Sequence, residues 1–180
     1  MMVSAILVAG CTQPGQIVPV STPTPTATPS LAATTPPGLT YVTLLTQGKN
    51  EIDLAKSALD EGKAYLADAM TKQSQKPDVI IILGQARANF TLAKSHFQAA
   101  NTAYREAQSI APPLLTTQLT ILIDSTNDCS DACDMFLNAV TLAGKQDWYN
   151  ADNQANTANL KYRTAIGQIN DILNGLNMLT

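Results

Sequence analysis

The chain has 180 residues, with 11 Lys+Arg, 14 Asp+Glu and one His, a net charge of −3 and a pI near 4.9. That balance excludes the basic face a nucleic-acid binder needs, and one His with three Glu leaves little for a metalloenzyme. No charged residue precedes Lys49, and seven of the ten prolines lie between Pro14 and Pro37, so an uncharged Pro/Thr-rich front precedes a back long enough for one domain.

The front opens with an apolar run, Val3–Ala9, broken only by Ser4, and the small residues Ala9 and Gly10 stand just before Cys11. The run is too short for a transmembrane helix, which needs ~20 apolar residues. Leu7-Val8-Ala9-Gly10-Cys11 resembles the lipobox of membrane lipoproteins. The resemblance implies that residues 1–10 are a signal peptide, that Cys11 carries a lipid, and that the protein sits on the extracytoplasmic face of the cell membrane. The usual positive n-region is missing, so either the true start lies upstream or the segment is an apolar tail. A soluble secreted form is the competing reading.

Residues 11–39 form the next unit. Seven Pro and seven Thr fall between residues 12 and 39, without a charge. Ser21-Thr22-Pro23-Thr24-Pro25 and its continuation to Pro29 suit neither a helix interior nor a central strand. The expectation is a disordered, polyproline-like stalk reaching at most ~85 Å at ~3.1 Å per residue, of a composition that often carries O-glycans. The start Gly10-Cys11-Thr12-Gln13-Pro14 with its Thr-Pro stalk is similar to surface lipoproteins of methanogenic archaea.

From residue 40 to 180 apolar or small residues recur at 3–4 spacing in four segments, with no strand alternation. The first runs through Tyr41, Leu45, Gly48, Ile52, Ala55, Leu59, Gly62, Leu66 and Ala69. The second runs through Val79, Leu83, Ala86, Phe90, Ala93, Phe97, Ala100, Tyr104, Ala107 and Ala111. The third takes Leu115, Leu119, Leu122, Thr126, Cys129, Cys133, Phe136, Val140 and Ala143. The fourth takes Trp148, Ala151, Ala155, Ala158, Tyr162, Ala165, Ile169, Ile172, Leu176 and Leu179.

Punctuation sets the ends of four predicted helices, about 40–74, 77–111, 113–143 and 147–179. Thr40 is a cap for the first, with Leu39 and Leu44 as a hydrophobic staple. Pro77 and Asp78 suit the first turn of the second. Pro112-Pro113 ends the second helix and opens the third. Gly144 terminates the third, and Asp147 caps the fourth. Joints this short make neighbours antiparallel. The sequence therefore predicts an all-α, up-down-up-down four-helix bundle of long heptad-patterned helices. Ala86–Ala107 and Lys145–Ala158 faintly resemble tetratricopeptide helices, but those recur at 34 residues as pairs of short helices, whereas one unbroken helix fills each such span here. Large and small residues alternate along the seams, which lets axes approach closely. Gly48 and Gly62 mark either tight packing or room for a ligand.

Candidate chemistry is sparse. Cys129 and Cys133 lie four apart on one helix face, ~6 Å apart in Cα terms. They read as two buried thiols or as a local disulfide; no His or Cys at matching spacing makes them metal ligands. Asp124, Asp128, Asp131 and Asp134 read as a solvated acidic face, since a Ca²⁺ site usually needs a bent loop with a glycine. His96 flanks the core beside Phe97, and a single histidine supports neither a di-iron site nor a Ser-His-Asp triad. Asn89-Phe90-Thr91 is a glycosylation sequon placed mid-helix. Trp148 reads as a plug at the end of the core, with a ligand platform as its alternative. No Gly-rich phosphate loop appears. The expectation is a lipid-anchored binding or spacer module, not an enzyme, without cofactor or bound metal, meeting the membrane through Cys11 and a protein partner at the cell surface. The alternative is a small-ligand or sensing bundle with its site between helices.

Overall fold

Each seam is one helix in the computed structural model, which describes residues 40–177. The helices are α1 (Tyr41–Thr71), α2 (Lys76–Ile110), α3 (Thr116–Gly144) and α4 (Trp148–Asn177), with a 3₁₀ turn over Pro113–Leu115. Among the described residues there is no strand. The signal-like segment, Cys11, the Pro/Thr stretch, Leu39 and Leu179 lie outside the described residues.

Facing residues run in opposite order across neighbouring helices. Gly48 meets Tyr104 and Gly62 meets Phe90 between α1 and α2. Arg87, Lys94 and Asn101 of α2 bond to Thr141, Asp134 and Thr126 of α3. Asp128 and Ser125 of α3 bond to Lys161 and Gln168 of α4. The topology is therefore the antiparallel up-down-up-down bundle expected from the heptads. The chain enters at Thr40, so the turns at 72–75 and 145–147 share the far end, ~45 Å away along α1 at 1.5 Å per residue.

The helix ends follow capping chemistry. Thr40 accepts a hydrogen bond from the Thr43 amide at 3.2 Å. α2 starts behind Gln75, without a side-chain cap and with proline in its first turn. The left-handed residue after α3 is not glycine: Gly144 is the last helical residue, and Gln146 takes φ 66°. The Gln146 amide bonds to the Ala143 carbonyl and the Asp147 amide to that of Leu142, the two bonds of a Schellman closure. The donor of the closing bond, Asp147, directly precedes α4, and the left-handed position one past Lys145 falls on Gln146. Asp147 then caps α4, accepting from the Asn150 amide at 3.4 Å.

Most seam residues are buried as their spacing predicts, with two local shifts. Leu44, not Leu45, is the core residue of the first turn of α1, and Leu173, not Ile172, is that of the last turns of α4. Both shifts have the same cause: a straight helix turns every 3.6 residues and drifts ahead of a strict 3.5 repeat. In the centre Phe90 stacks on Phe136, ring centroids 4.8 Å apart, and Phe97 meets Tyr162 at 6.3 Å. Asn101, buried among α2 and α3, donates to the Ile123 carbonyl and the Thr126 and Asn127 side chains, and accepts from Arg105. Close packing joins α1 to α2, α2 to α3 and α3 to α4, whereas α1 and α4 stand farther apart.

Candidate functional site

The space over the two seam glycines is full. A Cβ on Gly48 would stand 2.3 Å from Tyr104 Cε1, and one on Gly62 would stand 2.7 Å from Phe90 Cε1. A ligand pocket beside Gly48 and Gly62 therefore has no room, and these glycines serve the close approach of α1 and α2.

Cys129 and Cys133 are fully buried on the α3 seam and unbridged in this structure. Burial, then the neighbouring Cys133 and Asp128, pushes the Cys129 thiol far up; burial and Asp134 push Cys133 up to about 12. Both are thus poor nucleophiles, because the thiolate is the reactive form.

The acidic ridge of α3 is solvent-exposed, with Asp128 at 49%, Asp131 at 65% and Asp134 at 53%, and it also makes cross-helix pairs. Lys161 of α4 pairs with Asp128 at 2.6 Å and Asp131 at 3.3 Å, and Lys94 of α2 pairs with Asp134 at 2.7 Å. The Asp128 hydrogen bond raises the Lys161 ammonium above its ordinary value. These pairs link α3 to both neighbours across the bundle surface. Their two lysines lie 33 and 40 residues from the aspartates, beyond the reach of spacing rules. His96 Nδ1 meets Glu51 Oε2 at 2.6 Å across α1 and α2, both half-buried. Among the described residues no three His, Cys, Asp or Glu side chains converge as a metal would require. Asn89 is half-buried.

The far end of the bundle exposes large apolar side chains, as does the end at Thr40, where Val42 is 40% exposed, Ile110 37% and Leu114 72%. Ile80 is 72% exposed, Ile81 65% and Tyr149 78%. Ile80 borders a pocket of about 100 Å³ whose apolar walls are Val79, Leu83, Ala143 and Trp148, with Gln73 and Gln146 at its rim. It opens beside a groove of about 380 Å³ between α2 and α3, which shares Ile80, Leu83 and Gly144 and adds Gly84, Arg87, Val140, Thr141 and Lys145. Trp148 is half-buried and does close this end, but it also forms one wall of the pocket. The heptad pattern could place Trp148 here. Its second seam, Val79 then Leu83, already left Ile80 and Ile81 off the core positions; what it could not show is that Ile82 is buried and that Ile80 borders a pocket.

A second opening follows the wider gap between α1 and α4. It has about 350 Å³, an apolar floor of Leu66, Met70 and Phe136, and a polar rim of Lys63, Asp152, Asn156 and Asn159. Lys63 lies 5.2 Å from the Tyr162 ring centroid and pairs with Asp60 at 2.6 Å. No helix among the described residues is long and apolar enough to cross a membrane. Comparison with protein-family profiles, curated proteins and solved structures gave no match.

Proposed function

We propose that this chain is a lipid-anchored, extracytoplasmic binding and spacer module that holds a protein partner at the bundle end opposite Thr40. The anchor follows from the lipobox-like Leu7–Cys11 and the Pro/Thr stretch behind it. The observation that carries the docking role is exposed Ile80 on the border of an apolar pocket at the end farthest from Thr40, with Ile81 and Tyr149, next in the chain to the pocket residues Ile80 and Trp148, exposed as well. Exposed apolar patches of this kind commonly mark interaction sites. The core of the bundle is filled by aromatic pairs, Phe90 stacked on Phe136 and Phe97 tilted against Tyr162, which suits a rigid spacer.

The test is co-purification of the full chain from membranes. Ile80→Asp with Ile81→Asp removes a stoichiometric partner, whereas Leu114→Asp, at the opposite end and 72% exposed, keeps it. Retention of the same partner by both variants would sink the docking role.

A second reading is a small-ligand module, and the groove between α1 and α4 favours it: its volume falls within the ~300–1,000 Å³ usual for ligand pockets. On that reading an apolar anion raises the melting temperature, and Ala155→Leu, which fills the groove, abolishes the rise.

A further inference from the structure

We propose that the groove between α2 and α3 at the far end takes a short acidic and apolar peptide segment of a partner protein. An aliphatic or aromatic side chain enters the pocket beside Trp148, and an adjacent carboxylate pairs with Arg87 and Lys145. This rests on the reading of the far end as a docking surface and gives that surface its ligand chemistry.

Three observations converge. The first is charge. Of the residues lining the pocket and groove, only Arg87 and Lys145 are charged, and both are cations. Among the described residues neither has a carboxylate within 4.0 Å, which they share with Arg105 and Arg163, whereas Lys49, Lys56, Lys63, Lys72, Lys94 and Lys161 all do. The acidic residues of this end are occupied or aside: Asp68 holds Lys72, Asp147 caps α4, and Asp78 sits in the first turn of α2. In a chain of net charge −3, two unpaired cations beside exposed isoleucines are complementary to an anionic amphipathic partner.

The second is the posture of Arg87. Its Nη2 donates to Thr141 Oγ1 at 3.0 Å. That bond lays the guanidinium across the groove from α2 to α3. The remaining donors of the planar fork are left for a carboxylate, the geometry in which arginine outperforms lysine.

The third is space. Gly84 and Gly144 line opposite walls, and a Cβ on either would meet nothing within 4 Å. A glycine inside α2 weakens the helix, and Gly84, unlike Gly48 and Gly62, has no close neighbour to justify it. What its missing side chain does provide is an open groove. From Ile80 to Arg87 the groove runs ~10 Å at 1.5 Å per residue, enough for two helical turns or a few extended residues of a partner.

Trp148 is the only tryptophan of the chain, so its fluorescence reports on this site alone. The full chain is titrated with a synthetic peptide of leucine and glutamate, with the same peptide carrying lysine for glutamate, and with dodecanoate. The acidic peptide gives a saturable change that weakens with salt. The lysine peptide binds at least about tenfold more weakly, and Arg87→Gln with Lys145→Gln costs the acidic peptide a similar factor. Gly84→Leu, whose side chain enters open space, keeps the helical circular dichroism and loses the titration.

Equal binding of the two peptides, indifference to Gly84→Leu, or absence of any saturable change with the acidic peptide would each overturn the assignment. Saturation by dodecanoate with none by the peptide would overturn it in favour of an anionic lipid chain. The two levels separate cleanly. If aspartates at Ile80 and Ile81 release the membrane partner while the acidic peptide fails, the peptide chemistry is wrong and the docking end stands. If the peptide binds as described while those aspartates release nothing, the groove chemistry holds and the docking role falls.

Discussion

Adding one methyl group at each of three glycines separates tight packing from mere helix propensity. In Gly48→Ala the new Cβ would stand 2.3, 2.7 and 2.8 Å from three ring atoms of Tyr104. Carbon atoms rest at ~3.5–4.0 Å, so the ring must retreat by more than ~1 Å. Tyr104 is fully buried, and its retreat drives it into the core. Overpacking of this kind costs ~1–3 kcal/mol. Against it stands the helix-propensity gain of Ala over Gly, ~1 kcal/mol. Gly84→Ala collects that gain alone, since its Cβ meets nothing within 4 Å. The difference between Gly48→Ala and Gly84→Ala is therefore the steric cost by itself, and three ring contacts below 3.0 Å place it in the upper half of the ~1–3 kcal/mol range. Gly62→Ala lies between them, because its closest approaches to Phe90 are 2.7 and 2.8 Å. Urea unfolding of the full chain, followed by circular dichroism, gives the order Gly84→Ala above wild type, then Gly62→Ala, then Gly48→Ala, at equal slopes. A Gly48→Ala protein as stable as Gly84→Ala would refute the seating of Tyr104 on α1.

Three further outcomes follow from separate parts of the molecule. Gln146→Gly raises the urea midpoint by the equivalent of about 1 kcal/mol, because a residue other than glycine is held at positive φ there; an unchanged midpoint removes the strain. The thiols and buried phenols make the bundle alkali-sensitive. Cys133 lies at about 12 when folded against an ordinary 9.0, and Cys129, Tyr104 and Tyr162 are raised by burial as well. A raised folded value means stability that is fully present below pH 9.0 and is lost as pH climbs toward about 12; Cys133→Ala flattens that decline, and thiol reagents label neither cysteine until the protein unfolds. Intact mass of the membrane-fraction protein shows a chain starting at Cys11 with a lipid attached, and an unmodified Cys11 contradicts the anchor.

The fold was legible because four seams of three- and four-residue spacing leave a helix few other ways to bury Phe90, Phe97, Phe136 and Tyr162. The local misplacements, Leu45 for Leu44 and Ile172 for Leu173, arise where a 3.5 pattern is read onto a 3.6 helix near its ends. Gly144 does end α3, but the left-handed position after it falls on Gln146, because that position is set by which carbonyls the turn can close on. The far-end surface was largely hidden. Spacing identifies residues that face the core, but Arg87 and Lys145 are 58 positions apart in the chain and come to one groove only through the pairing of α2 with α3. For the same reason the pairing of the solvated acidic row of α3 with Lys94 and Lys161 was not legible from spacing.

Site-specific photocrosslinking in membranes tests the central claim most directly, because three apolar side chains of similar exposure occupy three different places. Ile81 is 65% exposed at the far end, Leu114 72% at the near end and Leu160 69% on the flank of α4. With a photoreactive residue at each position in turn, a docking surface at the end opposite Thr40 predicts one discrete adduct from Ile81 and none from Leu114 or Leu160. Equal adducts from all three positions, or an adduct from Leu114 alone, would contradict it.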